Sequence, residues 1–402
     1  MGDCVLEQLA LQLRSLSVFR NLLKLPGMQA LLALLEQMER KDAAMVESYG
    51  KLLFEVRREE KDLHDYLDCH LRYDDTAFGR AVASCRVEAD YLALARYDLE
   101  ILSRAAQLDF AALKRAMAAK LPPDWLAQVM AMPELRRGAA LELEPILQSY
   151  RQNGVGLFAR GRAFHWEKGT LTMVRNPDPI DYCDMIGYTW QREEVVKNTR
   201  CLHEGKPCNN VLLHGDSGTG KSATIKSLIN MPEFYNLRII ELAKNSLDEI
   251  TAVTRLVSGH TQKFILYIDD LSFEQQDAGF SALKSALEGG LELRPDNVAI
   301  YVTSNRRHMI REDFAERMGS DIHRDETIQE RASLSERFGL RIAYLSLNKQ
   351  EFLDMVDKLA AHRGLKLDPE MVAREANKWE IQHGGRTPRT ATQFVDYLYT
   401  LV

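Results

Sequence analysis

An apolar strand, a glycine-rich turn and a helix-forming stretch follow one another without a break from residue 210, and no other feature narrows the fold as far. Asn210-Val211-Leu212-Leu213-His214 runs straight into Gly215-Asp216-Ser217-Gly218-Thr219-Gly220-Lys221-Ser222. The glycines let the backbone curl until its N–H groups face one point. The helix that follows adds partial positive charge at its N-terminus. What such a loop cradles is a chain of phosphates, with Lys221 reaching the β- and γ-phosphates and the Ser222 hydroxyl ligating Mg²⁺.

The residues from 180 onward alternate strand and helix, the signature of a parallel sheet flanked by helices. Strands are expected at 210–214, 237–243, 264–269, 297–304 and 341–347. Phe264-Ile265-Leu266-Tyr267-Ile268-Asp269-Asp270 reads as a buried strand ending in two carboxylates, at the sheet edge where ligands bind. Asp269 suits positioning of Mg²⁺ through its water shell, and Asp270 suits orienting and deprotonating an attacking water. Glu274 is a rival for the second role. The fourth strand delivers Asn305, whose amide can hold that water or sense the phosphate. Arg306 and Arg307 follow at once, and either can face an adjoining subunit.

Residues 1–152 show helical periodicity instead. Leu31, Leu34, Leu35, Met38, Met45, Tyr49, Leu52, Leu53 and Val56 recur at three- and four-residue steps as one amphipathic face of a helix-bundle core. The heptad is not sustained, which disfavours a coiled coil. Residues 153–180 read as a linker with a hairpin over 163–174, closed by Asn176-Pro177-Asp178-Pro179. The α/β domain is placed at 181–347, and a small helical lid at 348–402.

A formal net charge of −6 argues against a protein built to coat nucleic acid. The six cysteines include no C-x-x-C pair, so a disulfide framework or zinc site is not indicated. Cys201, His203, Cys208 and His214 lie close in sequence but match no common zinc spacing. No apolar run approaches the roughly 20 residues that span a bilayer, and no signal peptide opens the chain. A cytoplasmic location is the expectation.

With these motifs in order, the stretch 180–402 resembles the AAA+ P-loop ATPases. Thr303-Ser304-Asn305 occupies the sensor 1 position. Ser333-Leu334-Ser335-Glu336-Arg337-Phe338-Gly339-Leu340 looks like box VII, whose arginine, here Arg337, projects into a neighbouring subunit's ATP site. Gly384-Gly385-Arg386-Thr387-Pro388-Arg389-Thr390-Ala391 resembles sensor 2, with Arg389 as the γ-phosphate contact and Arg386 as second choice. Further segments, among them Asn209-Asn210-Val211, Asp269-Asp270-Leu271-Ser272-Phe273-Glu274 and Arg294-Pro295-Asp296-Asn297-Val298, resemble one bacterial AAA+ family catalogued as a domain of unknown function. The resemblance implies a five-stranded parallel sheet of order 5-1-4-3-2, a helical lid and an all-helical N-terminal domain. It further implies ATP and Mg²⁺ as cofactors, and Ile186 and Gly187 lining the adenine pocket.

The expected function is an ATPase that assembles as a homo-oligomer with a trans arginine finger and remodels or loads a macromolecular partner. The competing expectation is an ATP-dependent switch or scaffold whose helical N-domain binds a protein, with slow hydrolysis as reset. Asp270 in place of the commoner Glu is one methylene shorter, which points to slow or assembly-dependent turnover. A nucleic-acid loader is less favoured, for the N-domain's charge is slightly acidic. No N-K-x-D guanine motif follows a strand, and a small-molecule kinase would not explain box VII.

Overall fold

The computed structural model describes residues 3–40, 43–59, 61–271, 278–288, 294–305, 334–365 and 368–400. Glu274, Arg306, Arg307 and Ser333 lie outside these residues. The chain divides into two compact units, Met1–Arg160 and Gly161–Val402.

The described part of the first unit is helical. Its amphipathic face is not one rod but two helices, Pro26–Arg40 and Met45–Arg58, packed against each other. Leu31, Leu34, Leu35 and Met38 on the first, and Met45, Tyr49, Leu52 and Val56 on the second, are buried in one core. Folding the face back lets both halves bury apolar area against each other, at roughly 25 cal/mol per Å².

The second unit is built on one seven-stranded sheet. Its strands are β1 (Ala163–Glu167), β2 (Thr170–Met173), β3 (Val211–Gly215), β4 (Leu237–Leu242), β5 (Lys263–Ile268), β6 (Val298–Ser304) and β7 (Leu340–Tyr344). The order is β2-β1-β4-β5-β6-β3-β7, parallel at every pairing except β1 with β2. The expectation of five strands is thereby corrected to seven, because the hairpin assigned to a linker joins the sheet. Its turn, Lys168-Gly169, has φ of 47° and 73°, the doubly left-handed bend whose twist suits a two-residue hairpin. Phe164 and Trp166 are buried on β1, and β4 supplies a free edge for it. Glu249 then accepts from the Trp166 indole N–H and, at 2.9 Å, from the Gly169 N–H.

β6 is buried along its whole length and β5 nearly so, as central parallel strands covered on both faces must be. One face packs on helices Thr189–His203 and Lys221–Ser227 through Val195 and Ile225, and on Leu228 just beyond the second helix. The buried Tyr301 hydroxyl fixes the first of these helices through Thr199 at 2.9 Å and Asn198 at 3.0 Å.

Beyond β7, helices Lys349–His362, Pro369–Gln382 and Pro388–Leu398 form a small core around Phe352, Val356, Ala376 and Phe394. Each begins on a side-chain cap, Asn348, Asp368 and Thr387 respectively. Among the described residues, no helix is long and apolar enough to cross a membrane.

Candidate nucleotide site

β3, β6 and β5 lie side by side, so their carboxyl ends bring three loops to one edge. At the end of β3, Gly215 adopts φ 133°, and a Cβ there would sit 2.1 Å from the Tyr344 carbonyl oxygen. Only glycine lets β3 and β7 approach so closely at this point. The loop then turns through left-handed Gly218 and Gly220 into helix Lys221–Ser227.

A cavity of about 380 Å³ opens over this turn, lined by Ser217–Ala223, Asp269, Asp270, Thr303, Asn305, Pro388, Arg389 and Thr392. Lys221 is buried, and its ammonium donates to the carbonyls of Gly215 at 3.2 Å and Asp216 at 2.6 Å. Burial pulls its pKa below the ordinary lysine value, outweighing the nearby carboxylates Asp216, Asp270 and Asp269. A buried ammonium whose hydrogen bonds among the described residues go to neutral carbonyls is well suited to receive an anion.

Facing it, the Ser222 hydroxyl donates to Asp269 Oδ1 at 2.7 Å, and Thr303 donates to the same oxygen at 2.6 Å. Burial opposes ionisation of Asp269, yet the hydroxyl donors around it, led by Thr303, hold it below the usual carboxylate range. Thr303 also accepts from the Asp270 N–H at 2.8 Å, so one hydroxyl locks both acidic residues to β6. Asp270 takes φ 50°, rare for a residue with a side chain, and the turn swings its carboxylate into the open. There Oδ1 accepts from Asn305 Nδ2 at 2.6 Å, while Lys244 lies 3.4 Å from Oδ2.

From the lid, the Arg389 N–H donates to the Gly218 carbonyl at 3.1 Å, which ties the start of the last helix to the loop. Arg386 is committed elsewhere. Its guanidinium forms a two-pronged pair with the buried Glu380, one bond at 2.9 Å.

Five expected residues fall outside the cavity, Gly215 at the end of β3 being the first. Asp216 is spent on β7: its N–H donates to the Tyr344 carbonyl at 3.0 Å, and its carboxylate accepts from the Ser346 N–H at 2.8 Å and the Ser346 hydroxyl. Ile186 packs against the lid core, and a Cβ on Gly187 would meet the Met355 methyl at 2.5 Å. Arg337 stands half-buried in the turn before β7, between buried Leu334 and Phe338. Among the described residues, Cys201, His203, Cys208 and His214 do not gather into a metal-ligating group.

Two members of the site escaped the sequence reading. Thr303 stood inside a motif read for its asparagine; its place two residues before Asn305, on the strand beside Asp269, was the available signal. Lys244 had none, since only the adjacency of β4 and β5 brings it to Asp270.

The loop's left-handed glycines, a buried ammonium, and a serine hydroxyl sharing a carboxylate's oxygen together fit a phosphate chain with a hard divalent cation. Mg²⁺ would find its donors in Ser222 and, through water, Asp269.

No curated protein matches the chain. Among solved structures it is similar to the Holliday junction branch migration motor RuvB of Thermotoga maritima, at 16% identity over 55% of this chain and 65% of that one, TM-score 0.37. It is also similar to PCH-2 of C. elegans, at 15% identity over 55% and 65%, TM-score 0.38. The chain thus spans 65% of the length of each. The family described as "Protein of unknown function (DUF815)" matches residues 159–401, from just before the hairpin through the last lid helix. On that match, which takes in the sheet, the glycine-rich loop and the lid together, the chain belongs to the DUF815 family.

Proposed function

We propose that the second unit is an AAA+ ATPase that binds ATP with Mg²⁺ over Gly215–Ser222 and hydrolyses it to ADP and phosphate. The observation that carries this reading is the convergence of Lys221, Ser222 and Asp269 on one cavity. Mg²⁺, when bound, neutralises phosphate charge and makes the terminal phosphorus a better electrophile. Lys221 exchanges its two carbonyl partners for phosphate oxygens, a stronger charge-assisted pairing. Arg389 adds a guanidinium from the lid side. Asn305 holds the attacking water, and Asp270 takes its proton as the new P–O bond forms and the bond to the ADP oxygen breaks.

Both oxygens of Asp270 already face donors, Asn305 and Lys244. Each oxygen keeps a second lone pair, so these donors orient the carboxylate without blocking it; a lone chain turns over slowly in this account because it lacks a guanidinium supplied in trans. Arg337, contributed by a neighbouring copy, supplies the missing transition-state charge in this account. Asp270, one methylene shorter than the commoner Glu, favours a second reading, in which ATP binding sets the state of the protein and hydrolysis is a slow reset.

Equilibrium binding of a slowly hydrolysed ATP analogue tests the site. Lys221→Ala loses about tenfold or more in affinity with its circular dichroism unchanged, since one charge-assisted contact is worth roughly 1.5–3 kcal/mol. Equal affinity in the two proteins would place the nucleotide elsewhere.

A further inference from the structure

Tyr267 is the penultimate residue of β5 and stands two residues before Asp269, a spacing that puts the two side chains on the same side of the extended chain. Its side chain is 1% exposed and belongs to the core between the sheet and helix Lys221–Ser227. The hydroxyl is buried too, and it lies close enough to Asp269 to favour that carboxylate's charge without making a hydrogen bond of good geometry to any described residue. Its polar neighbours are the Asp269 carboxylate and the Ser222 and Thr303 hydroxyls. Burial, followed by the Asp269 charge, pushes the phenol well above its ordinary value.

An orphaned buried hydroxyl costs about 1–3 kcal/mol, and a phenylalanine at this position would avoid that cost. The arrangement of Asp269 shows what such a donor can serve. Ser222 and Thr303 both donate to Oδ1, and a turn of the carboxylate about its terminal bond would loosen these two contacts as it brings a third donor into reach.

We propose that Tyr267 is a positioning residue for Asp269: as the carboxylate turns toward a bound divalent cation, it takes the Tyr267 hydroxyl as a further donor. The Tyr267–Asp269 bond then fixes the carboxylate's angle in the cation's outer sphere, where such partners typically govern metal affinity by about 10–100-fold. This rests on the ATP-site reading above and adds to it a residue that touches neither nucleotide nor cation.

Tyr267→Phe separates this role from a merely structural one. The affinity for a slowly hydrolysed ATP analogue is measured with Mg²⁺ and with EDTA, alongside the melting temperature of the protein alone. The variant keeps the wild-type affinity in EDTA, loses about tenfold of the gain that Mg²⁺ confers, and melts at or above the wild-type temperature. An undiminished Mg²⁺ gain overturns the proposal. So does a lowered melting temperature, which would show that the hydroxyl already has a stabilising partner. Should wild-type protein itself bind no nucleotide, the ATP-site reading fails, and this inference with it; a wild-type Mg²⁺ gain that Tyr267→Phe retains defeats this inference alone.

Discussion

Arg386 and Arg389 stand three residues apart in one short motif, and the fold gives them opposite employment. Arg386 closes on Glu380, a buried carboxylate on the preceding helix. Arg389 lies in the cavity wall with its N–H on the phosphate loop. Arg386→Ala therefore strands a buried charge and lowers the melting temperature. Arg389→Ala melts as wild type but loses turnover, and steady-state ATPase assays read beside thermal scans distinguish the two. A drop in melting temperature confined to Arg389→Ala would reverse the assignment. The spacing of glycine, proline and arginine located this motif in the sequence, but the choice between its arginines depended on Glu380. The family-like segment Asn209-Asn210 with Arg294 is likewise informative only in three dimensions. The Arg294 guanidinium donates to Asn210 Oδ1 at 2.7 Å and the Cys208 carbonyl at 2.8 Å, and Asn210 also accepts from the Ile300 N–H at 3.0 Å. These residues brace the amino ends of β3 and β6, the edge opposite the nucleotide site.

At the scale of elements, parallel strands announce themselves because they are buried on both faces and read as short apolar runs. The run Val298–Ser304 and the run Lys263–Ile268 were legible for this reason. The hairpin of β1 and β2 was legible as a hairpin, through alternation about Lys168-Gly169. Its attachment to β4 was not, since nothing local says which edge a hairpin will join. The amphipathic face of residues 31–56 gave the right core residues while concealing the break between two helices, because a three- and four-residue rhythm continues across a turn. If β1 is an interior strand, its amides at 163–167 exchange with solvent as slowly as those of β4, and β2, an edge strand, exchanges faster. Hydrogen exchange read by mass spectrometry checks this order. Uniformly fast exchange across 163–173 would return the segment to the status of a linker.

For the whole molecule, the second unit holds every residue proposed to touch ATP, and the first unit is a helical body with a core of its own. The Asp270 carboxylate is the point where binding passes into chemistry. It is exposed, held by Asn305 and faced by Lys244, so Asp270→Asn keeps the shape of the site while removing the base. Binding of ATP and its steady-state hydrolysis, measured together on wild type and Asp270→Asn at saturating Mg²⁺, test the central claim most directly. The account predicts affinity within about threefold of wild type and turnover reduced by about 10²-fold or more. Undiminished turnover in Asp270→Asn, or ATP binding lost along with it, would contradict the account.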